Sequence, residues 1–117
     1  LLVQKALEAS GFVDVSVTRY TQDNGIDVNA RVSPAQWPIA GTRIQVQAKR
    51  WLHTVGRREV AELRGSLEPF AHGAVVTTSF FSRAAISEAK VHGRQPIVLV
   101  DGYHFALVAE SHGLLSS

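Results

Sequence analysis

The sequence predicts an α/β domain: a mixed β-sheet of about five strands flanked by helices on both faces. Three observations carry this. Residues 26–32 and 43–49 alternate strictly between apolar and polar, the mark of strands with one buried and one wet face. Two short, mostly apolar runs, 73–79 and 97–100, read as strands covered on both faces. Apolar residues at helical spacing separate these runs, and strands alternating with helices call for crossover connections within a sheet.

The elements follow in order. Leu1, Leu2, Lys5, Ala6 and Ala9 fit the end of an amphipathic helix, which Gly11 stops. Residues 12–20 set Val13, Val15 and Val17 against Asp14, Ser16 and Thr18, a first strand. Gln22-Asp23-Asn24-Gly25 is turn chemistry. The second and third strands are the alternating pair, joined by residues 34–41 with two prolines and a glycine. After a loop over 51–56, Val60, Leu63, Leu67 and Phe70 form one helix stripe, with Pro69 marking its end. The fourth strand follows. Ser82 is placed to cap a helix with Ala85, Ile86 and Ala89 facing inward. Residues 93–96 break that helix before the fifth strand, and Asp101 is placed to cap a last helix carrying Phe105, Leu107 and Val108.

The alternating pair carries the chemistry. Asp27, Gln47 and Lys49 fall on polar positions. Antiparallel pairing about position 37 or 38 sets Asp27 roughly opposite Ala48, flanked by Gln47 and Lys49. Opposed Cβ atoms lie ~5 Å apart. An acid and an amide can then share one cation, with an amine beside it, which is a metal-assisted hydrolysis site. Alternation alone fits better with an exposed sheet face and a surface Asp–Lys pair, worth ~0–1 kcal/mol.

At 117 residues the chain is expected to be one domain over 1–117. It has no cysteine, which excludes disulfides, thiolate zinc sites and cysteine nucleophiles and fits a cytoplasmic setting. No run approaches the ~20 apolar residues of a membrane span, and the start reads as helix, not as a signal peptide. There is no methionine and residue 1 is Leu, so a natural chain extending further upstream is expected.

The net charge is only +2, yet Arg43, Lys49, Arg50, Arg57, Arg58 and Arg64 hold half of the 12 basic residues. A basic stretch beside the candidate site points to a polyanion. Arginine, which grips phosphate in a fork, outnumbers lysine. Arg50, Arg57 and Arg58 are the candidate nucleic-acid contacts; the bland alternative is a solvated basic surface. No nucleotide-binding glycine loop and no G-x-S-x-G elbow occurs. The five histidines lack ligand spacing. The hydroxyls of Thr77, Thr78 and Ser79 fit backbone capping better than phosphate binding. Trp51 is placed equally well to stack on a base or to pack beneath its loop.

Taken together, Ala9-Ser10-Gly11-Phe12, Asp23-Asn24-Gly25-Ile26-Asp27, Val46-Gln47-Ala48-Lys49-Arg50-Trp51, Val55-Gly56-Arg57, Val76-Thr77-Thr78-Ser79-Phe80-Phe81-Ser82 with Ala85, and Ile97-Val98-Leu99-Val100-Asp101-Gly102 run nearly end to end. In this order they resemble the Mrr-type restriction endonuclease catalytic domain, a branch of the PD-(D/E)XK nuclease superfamily. The resemblance implies a restriction-endonuclease-like fold and Mg²⁺-dependent hydrolysis of DNA phosphodiesters, with Mn²⁺ as a substitute ion. It implies Asp27 as the metal-binding acid and Gln47 and Lys49 as the ends of a Q-x-K signature. The Ala48 carbonyl is the further metal ligand expected beside them. Gln47 stands where the superfamily more often has a carboxylate. The flanking glycines around Asp23 are absent, which leaves its role open. A helix acid usual in the family would precede Leu1, and Glu8 is the one acid in the visible part of that helix. DNA is the implied partner, with a homodimer or higher assembly for double-strand cutting, or a recognition domain elsewhere in the chain. The alternatives are a DNA-binding module of the same fold without activity, and a structural domain with no nucleic-acid role.

Overall fold

The computed structural model describes residues 2–22, 25–33, 42–91 and 93–115. The elements come in the expected order: α1 (Leu2–Ala9), β1 (Phe12–Tyr20), β2 (Gly25–Val32), β3 (Arg43–Lys49), α2 (Arg57–Ser66), β4 (His72–Thr77), α3 (Arg83–Ala89), β5 (Ile97–Val100) and α4 (Gly102–Ser111). The five strands form one mixed sheet in the order β1-β2-β3-β4-β5. The first two pairings are antiparallel and the last two parallel.

Period-two alternation sorts the side chains onto two faces. On one, Val28, Val46 and Ala74 are buried under Val3 and Leu7 of α1, and Phe105 and Val108 of α4 border the same side. On the other, Val75 and Ile97 pack against Val60 and Leu63 of α2 and Ala85 and Ala89 of α3. Helices thus cover both faces, as the sequence requires.

Four local expectations are corrected. Val13 is exposed while Val15 and Val17 pack inward. Register shifts interrupt β1 between Val13 and Ser16 and again between Val17 and Arg19, and Asp14 sits at φ 52°, so the alternation slips phase. The α2 stripe ends at Leu67, which caps the helix in extended conformation, and Phe70 is exposed at φ 65°. Pro69 biases the residue before it away from helix, and the chain turns out of α2 early. Ile86, expected to face inward, is exposed, whereas Ala85 and Ala89 are buried. β5 is an edge strand, so Val98 is exposed and the strand is not covered on both faces.

The expected caps form. Ser82 Oγ accepts from the Ala85 amide, and Asp101 Oδ1 accepts from the His104 amide. Such side chains satisfy N–H groups that lack an intrahelical partner. Buried Glu88 of α3 pairs with Arg64 and, at 3.1 Å, with Arg57, both of α2. Arg64 also donates to the Gln95 carbonyl at 2.9 Å. One carboxylate therefore ties together the two helices on that face.

Candidate active site

The β2–β3 ladder is continuous from Gly25↔Lys49 through Asp27↔Gln47 to Arg31↔Arg43. Asp27 therefore opposes Gln47, not Ala48, which opposes Ile26. The expected register was off by one, and the difference matters. Opposed residues share a face, so pairing Asp27 with Ala48 would have turned the acid toward the buried side. The observed register puts Asp27, Gln47 and Lys49 on one face, the side covered by α2 and α3. Ala48 points its side chain into the opposite face and has only its backbone carbonyl to offer.

Asp27 and Gln47 line a common cavity of about 100 Å³ with Thr18, Asn29, Gln45, Leu63 and Ser66. Most of that lining is polar, and among the described residues no hydrogen bond or ion pair engages the Asp27 carboxylate or the Gln47 amide. Gln45, one pair further along, is occupied: its Oε1 accepts from the Glu68 amide at 2.7 Å. Lys49 does not border this cavity. Its ammonium lies 5.0 Å from the centroid of the Trp51 ring, and Trp51 stacks on His53 at 4.3 Å. Trp51 itself packs partly against the α2–α3 core. The two alternatives for this residue thus resolve toward packing, with the ring also carrying a cation–π contact to Lys49.

The three arginines differ. Arg50 is exposed at the end of β3. Arg57 is anchored to Glu88. Arg58 is exposed and bonds Glu62 at 2.9 Å, one turn along α2, and that hydrogen bond holds its guanidinium pKa above the usual value. Sequence reasoning passed over Arg19, the cross-strand partner of Asp27 on β1. Register counting about the 22–25 turn comes within one residue of it, at Tyr20, and the shift between Val17 and Arg19 is not legible in the alternation. Thr77 and Thr78 serve the backbone as expected: Thr77 Oγ1 accepts from the Ser79 amide at 3.1 Å and Thr78 Oγ1 donates to the Trp51 carbonyl at 3.0 Å.

A divalent cation fits this donor set in kind. Opposed positions supply a carboxylate and a carboxamide to the lining of one cavity, and the next residue in the chain, Ala48, offers a backbone carbonyl, all hard oxygen ligands. Among the described residues no three His, Cys, Asp or Glu cluster. Asp23 lies outside the described residues.

The restriction endonuclease family typified by the Mrr catalytic domain matches residues 1–108. The chain belongs to that family. Among solved structures it is similar to the DNA modification-dependent restriction endonuclease AspBHI, at 28% identity and TM-score 0.67, over 85% of this chain and 26% of that one. It shares its fold with the MspJI restriction endonuclease, solved in complex with a 27-mer oligonucleotide (21% identity, TM-score 0.60, 92% and 26% coverage). It also shares it with EndoMS in apo form (16%, 0.53, 86% and 43%). No curated protein matches. The Mrr-type domain thus spans about a quarter of the AspBHI and MspJI chains. No helix among its described residues is long and apolar enough to cross a membrane.

Proposed function

We propose that this domain is the catalytic part of a metal-dependent DNA endonuclease, acting in the cytoplasm on foreign or modified DNA. The observation that carries the reading is the Asp27↔Gln47 pairing with Lys49 two residues on, in a chain of the restriction endonuclease family. Asp27, the Gln47 amide oxygen and the Ala48 carbonyl are the residues that would hold Mg²⁺, or Mn²⁺ in its place. The ion, when bound, polarises a phosphoryl oxygen and makes its water a better nucleophile.

The chain's own residues do the rest. Asp27 gives the site its negative charge and orients what binds there. Gln47 adds an oxygen without adding charge. Lys49 presents an ammonium to the charge that builds on the phosphate under attack, and its contact with Trp51 restricts where that ammonium goes. Arg50 would take the backbone beyond the scissile bond, and the crossover returns the first turn of α2, with Arg57 and Arg58, toward the same end of β3. A cut through both strands needs two such sites, so the reading includes a dimer or higher assembly. The modification-dependent description of AspBHI supports modified DNA as the substrate, with its recognition outside this domain.

The test is cleavage of supercoiled plasmid by the full-length protein with Mg²⁺. Nicked or linear product is expected, and loss of product in Asp27→Ala and in Lys49→Ala. Cleavage that survives in both variants overturns the site. The neutral Gln47 favours a second reading, a DNA-binding module without activity. It holds if the unsubstituted protein binds DNA, cuts nothing and takes up no Mg²⁺ or Mn²⁺ by calorimetry with DNA present.

A further inference from the structure

Beyond Lys49 the chain does not leave the sheet as a slack loop. Residues 49–55 run beside 78–82 and are fastened to them at four points. The Thr78 amide donates to the Lys49 carbonyl at 3.2 Å, and the Thr78 hydroxyl to the Trp51 carbonyl at 3.0 Å. The Val55 amide donates to the Phe80 carbonyl at 2.8 Å, and the Ser82 amide to the Val55 carbonyl at 3.0 Å. Val55 itself is fully buried. Fastened on either side of Leu52, at Trp51 and Val55, this rim presents Leu52 at 104% and Phe80 at 67% relative exposure. Scattered exposed apolar residues need no explanation. Two on one clamped rim, next to the exposed Arg50 and three residues from Lys49, are a different case, because a cation-flanked apolar edge suits a partner with charged backbone and apolar interior.

We propose that Leu52 and Phe80 press between bases of the DNA held at Asp27, Gln47 and Lys49, with Arg50 on the adjoining phosphate. The inference rests on the nuclease reading and adds a contact that it does not require. Apolar side chains inserted at a base step unstack it and bend the duplex, and an aromatic ring can take the place of the lost neighbour whatever the sequence. The rigid rim suits this role. A wedge on a slack loop would fold aside, whereas this one is braced through Trp51 and Val55 to the core. The consequence is a local opening of the helix at the cutting point, independent of base identity.

The test uses the full chain carrying Lys49→Ala, so that DNA stays intact, and duplexes with the fluorescent base 2-aminopurine placed near the cleavage point. Binding is expected to raise fluorescence as the base unstacks. Adding Leu52→Ser with Phe80→Ser is expected to abolish the rise and weaken binding roughly 5- to 100-fold. The slope of log affinity against log salt should stay unchanged, because phosphate contacts are kept. Ile86→Ser, an exposed apolar change on α3, should leave both readings as they were. Both substituted positions are exposed, and a melting temperature equal to that of the parent confirms that folding is intact. A parent that binds with no fluorescence rise, or a double variant that matches the parent in rise and affinity, overturns the wedge and leaves the nuclease reading standing. Absence of salt-dependent DNA binding by the parent overturns both.

Discussion

Asp27 and Gln47 are direct cross-strand partners on β2 and β3, and both border one polar cavity. Because opposed side chains approach to within ~5 Å at Cβ, their oxygens can meet on one ion without rearrangement of the sheet. The substitution Gln47→Glu adds a second carboxylate at that point. It should tighten Mn²⁺ and Mg²⁺ binding, whereas Asp27→Asn should remove it. Isothermal titration calorimetry with each ion, in the presence of DNA, reads the effect directly. Unchanged affinity in both variants would place the ion elsewhere.

Lys49 stands apart from that cavity, over Trp51. In the reaction proposed above it would meet charge that develops on phosphate and leave the ion to Asp27 and Gln47. By analogy with a lost oxyanion-hole donor, Lys49→Met should lower the cleavage rate roughly 10²–10³-fold. Ion affinity should stay within about twofold, since no ligand is lost. Single-turnover cleavage and calorimetry on the same preparation separate the two effects. Equal losses in both would make Lys49 part of the ion site.

Much of this was legible beforehand, and the reasons lie in particular residues. The alternation of Ile26, Val28 and Ala30 against Asp27, Asn29 and Arg31 fixes which face each side chain takes. So the strands, and the shared face on which Asp27, Gln47 and Lys49 lie, could be read. The one-residue register could not, since alternation fixes a face but the pairing depends on the 34–41 connection, where sequence offers no unique turn. Phe70 and Ile86 fit a helical stripe by spacing, yet face solvent, because spacing says nothing about where a helix stops or how far a neighbour reaches. The Arg64–Glu88 pair joins residues 24 apart in sequence, a contact no local pattern announces.

That pair makes a stability prediction. Glu88 is buried, the Arg64 side chain is only 9% exposed, and no buried side-chain polar atom lacks a partner among the described residues. Removing one partner of a buried ion pair strands the other, at about 3–5 kcal/mol. Glu88→Ala should therefore destabilise the fold by about that amount. Arg57→Ala, whose side chain is 64% exposed, should cost about 0–1 kcal/mol. Urea unfolding of both variants tests the contrast. Equal, small losses would show that the α2–α3 tie carries little of the stability.

Asp101 couples the cap of α4 to pH. Its Oδ1 accepts from the His104 amide at 2.9 Å and lies 2.7 Å from the His104 ring nitrogen Nδ1. The backbone hydrogen bond, and after it the His104 ring, hold its carboxyl below the ordinary carboxylate value. A carboxyl lowered on folding contributes stability above its unfolded pKa, and that contribution fades as pH falls through the lower, folded value. The window is therefore acidic, below ~pH 4, the ordinary aspartate range. Asp101→Ala should cost about 1 kcal/mol at neutral pH through the lost cap. Asp101→Asn, which caps about as well, should keep most of the stability at neutral pH yet flatten its decline in acid. Thermal melts of the three proteins from neutral to acidic pH read both effects, and an asparagine variant that declines as steeply as the parent would assign the acid sensitivity to other carboxylates.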